Sequence, residues 1–447
     1  ARAALQRLAR EHAASWEPAD LELFPEEDAL LAVLALSMAR VDPAPWIAPL
    51  LDHPDLAVNF ETLRWIAEAR LTEYAPAVAA VLERSELDFD LFEAAVATSN
   101  ILQGTPEQGI RNPELLLARL RDEDSSPRLR AFALRLLPTQ ERTPPREGPS
   151  SRVRFPEGLT TELLGELLEA EDEALALEAA RALADNPRAG GAGLLESVVR
   201  DQSRSLALRT EALAGLAPHA EEHIDLLLEL AGAEETALRE EALRALRHRP
   251  LEAGQKGALE ALAAARSESA DLFAALLDPA ALVRDRPAPA DLAAWERLLD
   301  AVGGEPDLAA GGRIFHHASV ALCADCHRHD GRGKIVGPDL SSSGLQGERA
   351  GLLESVLLPG REIAPEFLPR AVELKDGTVA TGIRLRSSTS EVIRDAAGHT
   401  RSFPLDQVAS IRELETSLMP DGLAYALTDR ELRDLLAFLE ASVGAVD

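Results

Sequence analysis

Cysteine is almost absent from this chain of 447 residues: Cys323 and Cys326 are the only two. A tetrahedral zinc site has no second Cys pair to complete it. Methionine is as scarce, with Met38 and Met419 alone. Aromatics make up 4% of a sequence that is 46% hydrophobic, so the apolar content is mostly Leu and Ala. Those residues lead the helix propensity scale. Positive charge is also short: 46 Lys and Arg face 76 Asp and Glu, a net charge of -30. Such a surface repels phosphate, which excludes nucleic acid as a partner. It would attract a basic protein at low salt, although solubility accounts for the same charge. No run of eighteen apolar residues occurs, so no membrane-spanning helix is expected. No signal peptide is read in the sequence either. It starts at Ala1 without a methionine, which leaves room for an upstream leader or region.

What is present begins with a repeat. The length suggests two to four domains. Over the first 270 residues an apolar residue recurs with small or apolar residues at +4, +5 and +8, offsets that share one helical face. The copies are Val58/Thr62/Leu63/Ile66, Leu91/Ala95/Val96/Ser99, Leu129/Ala133/Leu134/Leu137, Leu175/Ala179/Ala180/Leu183, Leu208/Ala212/Leu213/Leu216 and Leu238/Ala242/Leu243/Leu246. Each follows another short helical run, such as Pro113 to Arg121 or Ile224 to Leu230. A two-helix unit cannot bury its own apolar face, whereas stacked units share a core. Four prolines between Arg142 and Pro156 interrupt the series, and a second Pro-rich segment, Pro279 to Pro289, follows it. Met38 falls inside an early helix and is expected in its core.

The two cysteines stand in one unit, Cys323-Ala324-Asp325-Cys326-His327. C-x-x-C-H is the attachment sequence of c-type haem: two thiols form thioethers, and the histidine is the proximal iron ligand. A redox dithiol or half a zinc site is the alternative reading. Gly311 to Val320 reads as a helix leading into the pair. Gly331 and Gly333 allow tight turns behind it. Pro338 sits where its carbonyl could accept from the Nδ1-H of His327 and fix the ring. His329 is expected at the surface. Met419, in the non-helical "SLMPDGL", is the favoured sixth ligand. His316, His317 and His399 are its rivals, the last expected to be exposed. "TDRE" at 428–431 marks a capping box opening a final helix. Between His327 and Met419, "RAVELKDGTVATGIRLRS" alternates around Asp376-Gly377, a hairpin signal. Residues 367–414 therefore read as a small antiparallel β insertion.

Residues 304–441 resemble a haem-binding domain of the cytochrome c superfamily, of the variety common in secreted planctomycete and verrucomicrobial proteins. The stretches that carry the resemblance are "CADCH", "GPDL", "LLESVLLPGREIAPEF", "DGTVATG", "SLMPDGL" and "LTDRELRDLLAFL". The earlier pattern resembles HEAT-type repeats. The first resemblance implies one covalent haem c on Cys323 and Cys326, with His327 and Met419 axial. It also implies a quinoprotein-dehydrogenase-like region upstream in many relatives; no propeller segment is visible here.

The expected fold is mainly α: a HEAT-like α-solenoid, then a cytochrome c-type helical domain with the β insertion. The expected divisions are repeats at 1–141, a Pro-rich joint at 142–157, a second array at 158–278, a linker and capping helix at 279–303, and the haem domain at 304–443. The function expected is electron transfer through a haem with His/Met ligation. The array would dock a partner oxidoreductase or domain. A scaffold with a subordinate haem, or a haem enzyme or sensor with a displaceable sixth ligand, are the alternatives. No catalytic triad or phosphate loop stands out, so catalysis by this chain alone is not expected. Covalent attachment implies a periplasmic or otherwise extracytoplasmic, bacterial protein.

Overall fold

The computed structural model describes residues 13–17, 26–137, 139–140, 153–185, 190–317, 319–385 and 390–441. The fold is mainly α-helical with one small antiparallel sheet inserted near the end. Two compact units divide it: residues 1–139 with 156–159, and residues 140–155 with 160–447.

The first unit holds α1 (Glu26–Ala39), α2 (Ile47–Leu51), α3 (Leu56–Ala69), α4 (Ala75–Val81), α5 (Phe89–Leu102), α6 (Pro113–Arg121) and α7 (Pro127–Leu136). The polar residues between helices act as caps. Asp55, Asp88, Asn112 and Ser126 each accept a backbone N–H of the helix they open, satisfying donors that have no intrahelical partner. Met38 is exposed, not in the core, because the buried stripe of α1 runs through Ala29, Ala32, Val33, Ala35 and Leu36.

The second unit continues with α8 (Thr161–Leu168), α9 (Glu173–Ala184), α10 (Gly191–Arg200), α11 (Leu206–Gly215), α12 (Ile224–Leu230), α13 (Thr236–Leu246), α14 (Ala253–Ala265) and α15 (Ala270–Leu277). The repeat copies fall on α3, α5, α7, α9, α11 and α13. All their residues are buried except Ser99, which is half-buried. Helices α9, α11, α13 and α15 pack side by side in succession, with α8, α10, α12 and α14 against them. Alanine at +4 allows that approach, since Ala179, Ala212 and Ala242 are almost fully covered. Most of the Pro-rich joint, its residues 142–152, lies outside the described residues.

The rest of this unit carries α16 (Leu292–Asp300), α17 (Leu308–His316), α18 (Arg349–Leu357) and α19 (Asp429–Glu440). Short β1 (Arg328–His329) and β2 (Arg332–Gly333) pair with each other. The insertion comprises β3 (Pro369–Leu374), β4 (Val379–Leu385), β5 (Ser390–Arg394), β6 (Thr400–Pro404) and β7 (Val408–Glu413), in the order β6-β5-β4-β3-β7. Its first hairpin turns at Asp376-Gly377, where Gly377 takes φ 85°. A three-residue turn, Leu405–Gln407, connects the two edge strands. So short a link forces the sheet to curl, and Val372, Ala380 and Ile393 form a small core of its own.

Helix α17 begins before Gly311 and ends before Val320, the bounds the sequence suggests. It stops at His316, and His317 takes an extended conformation (φ -66°, ψ 128°). There the His317 ring accepts the backbone N–H of Ser319 at 3.2 Å. A local side-chain bond of this kind competes with the helical ladder and ends it.

Candidate functional site

Two crossing helices and one loop build the site. Where α17 meets α19, a Cβ on Gly311 would lie 2.1 Å from the Asp434 backbone oxygen and 2.7 Å from the Phe438 Cβ. Only glycine permits that approach. The crossing joins Ile314 and Phe315 of α17 to Leu432, Leu435, Leu436 and Leu439 of α19 in one core, with Trp295, Val320 and Leu353. Cys323, Ala324 and Leu340 pack against its edge.

The Cys323–Asp325 segment is a single 3-10 turn entered through Leu322, which has φ 57°. The His327 N–H donates to the Cys323 carbonyl at 2.8 Å. The chain then folds back over the motif. Lys334 N–H donates to the Ala324 carbonyl at 2.9 Å, and Val336 and Gly337 donate to that of Cys326 at 2.9 and 2.7 Å. Gly333 is required by conformation and by space: its φ is +98°, and a Cβ there would stand 2.2 Å from the His327 carbonyl oxygen. At Gly337 a Cβ would be 2.5 Å from Cε1 of His327, so the imidazole occupies the space of the missing side chain.

The Nδ1 of His327 lies 2.9 Å from the Pro338 carbonyl oxygen. A carbonyl only accepts, so Nδ1 carries the proton and Nε2 keeps its lone pair. Burial lowers the His327 pKa, against smaller opposing effects of the Pro338 carbonyl and Asp339, and keeps the ring neutral. Burial, with Cys326 nearby, pushes the Cys323 thiol up to about 12. The Cys326 thiol is also raised, chiefly by burial. Both cysteines are free, and as neutral thiols they are weak nucleophiles in this folded form.

Cys323, Cys326, His327 and Pro338 are thus brought together by one loop. Met419 lies in a bend after β7, half-buried, its N–H donating to Ser417 Oγ at 3.1 Å. It is outside the hydrophobic cluster that holds Cys323. His329 is not at the surface: it is 4% exposed, and its ring sits 4.4 Å from that of Phe438 and 5.7 Å from that of Phe315. The β1–β2 pairing turns it inward, onto the helix crossing. His399 is half-buried at the β5–β6 turn, its Nδ1 3.4 Å from Asp395. His316 is half-buried with its ring 4.9 Å from that of Phe315, and His317 is buried. The insertion leans on the loop behind His327, where Arg394 donates to the Ile335 carbonyl and Gly398 approaches Val336.

A buried ionic network joins α13 to the helices of the site. Glu241 accepts from Arg244 at 2.8 Å and from Arg313 of α17 at 3.0 Å. Glu431, in the capping box of α19, accepts from Arg244 and Arg247 at 3.0 Å. Burial alone would raise Glu431; Arg247 and Arg244 outweigh it and hold the carboxyl below its usual range. Arg430 reaches Asp271 of α15 at 2.8 Å and also Glu240. Apart from Glu241 and Arg244 on one helix, these partners are far apart in sequence, and periodicity carries no trace of them. The Gly311-Gly312 pair inside a helix was a readable signal, since glycine costs a helix about 1 kcal/mol and needs a reason there.

Among the described residues no three His, Cys, Asp or Glu side chains converge as a cage for a metal ion. Nor is any described helix long and apolar enough to cross a membrane. No family model and no curated protein matches the chain. One solved structure it is similar to is an engineered protein from the Northeast Structural Genomics Consortium. The identity is 19%, over 72% of this chain and 79% of that one, with a TM-score of 0.28. That likeness carries no argument about fold or function.

Proposed function

We propose that this chain carries one covalent haem c and transfers electrons. The observation that carries the reading is the bond from His327 Nδ1 to the Pro338 carbonyl within a C-x-x-C-H unit. It leaves Nε2 as the free donor of a neutral, oriented imidazole, the form a proximal iron ligand needs. Gly337 leaves the ring the space a side chain would fill, and Cys323 and Cys326 are unpaired thiols in the same loop. These residues fit the group, which brings its own four ring nitrogens and needs no protein cage. Bound there, a haem supplies a one-electron couple. Met419 is the proposed sixth ligand, and a thioether favours ferrous iron. The HEAT-like array is proposed to hold a redox partner, a separate protein or an upstream dehydrogenase domain. Attachment after export would make the protein periplasmic or otherwise extracytoplasmic.

Acid-acetone extraction of the mature protein tests the assignment. The haem is expected to stay on the polypeptide, and Cys323→Ala is expected to reduce holoprotein sharply. Fully extractable haem, or bound zinc instead of iron, would sink it.

A further inference from the structure

His317 has no place in the reading above, yet it is one of the most enclosed polar side chains of the unit. It is 3% exposed. Its Nδ1 accepts from the Ser319 backbone N–H at 3.2 Å, so the ring proton sits on Nε2. Nε2 points toward Oε1 of Glu241, 3.9 Å away, and neither atom has a hydrogen-bond partner. The gap is about 1 Å longer than a hydrogen bond. The other oxygen of Glu241 is held by Arg244 and Arg313. Leaving two such groups buried and unpaired is costly, which favours their mutual approach.

The placement gives the contact a purpose. Ser319, Val320 and Ala321 lead directly into Leu322 and Cys323, and Val320 and Ala321 enter the core beside the motif. Glu241 belongs to α13, a repeat helix. We infer that Glu241 and His317 form a positioning pair, through which the repeat array fixes the segment that delivers Cys323 and Cys326. Glu241 also braces α17 through Arg313, so both the helix and its exit are referred to one carboxylate of α13. This rests on the haem reading for its consequence, but not for its first test.

The full-length chain is compared with Glu241→Gln, His317→Phe, His317→Asn and their Glu241→Gln double variants. Leu213→Ala, a fully buried change in α11, serves as a control for plain destabilisation. Amide exchange at Ser319 is read first, in the unloaded chain carrying Cys323→Ala and Cys326→Ala. Exchange is expected to rise at least tenfold in His317→Phe and severalfold in Glu241→Gln, and to stay near wild type in Leu213→Ala. Asparagine can still accept from the amide two residues on, so His317→Asn is expected to restore most of the protection. In the loaded chain both single variants shift the reduction potential, and the Glu241→Gln/His317→Phe pair shifts it no further than the larger single. Additive shifts, or exchange in Glu241→Gln no faster than in Leu213→Ala, would overturn the pair. A wild-type chain without covalent haem would overturn the electron-transfer reading while the exchange measurement still decides this one.

Discussion

At the residue scale, several glycines and one histidine decide the geometry. Gly311 has no space for a methyl group, so Gly311→Ala is expected to cost about 1–3 kcal/mol or more by forcing α17 from α19. A lowered urea midpoint with unchanged helix content would show it; an unchanged midpoint would contradict the crossing. His317 gives a pH dependence. Burial lowers its pKa to about 4, below the ordinary value near 6.5, with Glu241 and Glu431 opposing and Arg244 and Arg247 assisting. The unfolded chain then binds the proton first as pH falls. Stability is lost between about pH 6.5 and 4, by up to about 3 kcal/mol, and levels off below. Glu241 and Glu431 are held low, so their losses begin only below about pH 4.5. Urea unfolding of wild type and His317→Phe from pH 7 to 4.5 isolates the effect: the wild-type curve should fall more steeply. Parallel curves would remove His317 as the cause. At Met419, the proposed sixth ligand, replacement by Ala is expected to leave the proposed haem covalently attached and to lower its potential. An unchanged potential and near-infrared band would eliminate it as the sixth ligand.

At the element scale, helix pairs were legible because burial and periodicity coincide. α6 and α12 have the bounds that their apolar spacing and flanking polar residues suggest. The capping box of α19 and the Asp376-Gly377 hairpin were legible for the same reason: each is a local bond between residues a few positions apart. What lay beyond reach was long-range. Glu431 reads as a cap, and it is one, with its Oε2 accepting the Thr428 N–H at 2.9 Å. Nothing local says that Arg244 and Arg247 arrive 187 and 184 positions away. Removing one partner of a buried pair leaves an uncompensated charge. Glu431→Ala is therefore expected to destabilise the second unit by about 3–5 kcal/mol, read from its unfolding midpoint. A loss below about 1 kcal/mol would mean that water reaches these groups. His329 was misplaced for a related reason: a two-residue strand pair turned a polar residue onto Phe438.

At the scale of the molecule, α13 and α15 share one compact unit with the C-terminal helices. Arg286 of the linker extends the attachment, donating to the carbonyls of Ala424 and Leu427 at 2.8 and 2.6 Å. A fragment of residues 160–447 is expected to melt in one transition, while residues 304–441 alone leave Glu431 without its arginines and melt well below it. Equal melting temperatures would show the two parts to be independent. Chain order adds a kinetic consequence to the helix crossing. The Cys323 thiol is covered by a core that α19 completes, and α19 follows it by roughly a hundred residues. At about 5–20 residues per second that separation is on the order of ten seconds of synthesis. During that interval the Cys323 side chain lacks the partial cover that the core completed by α19 gives it.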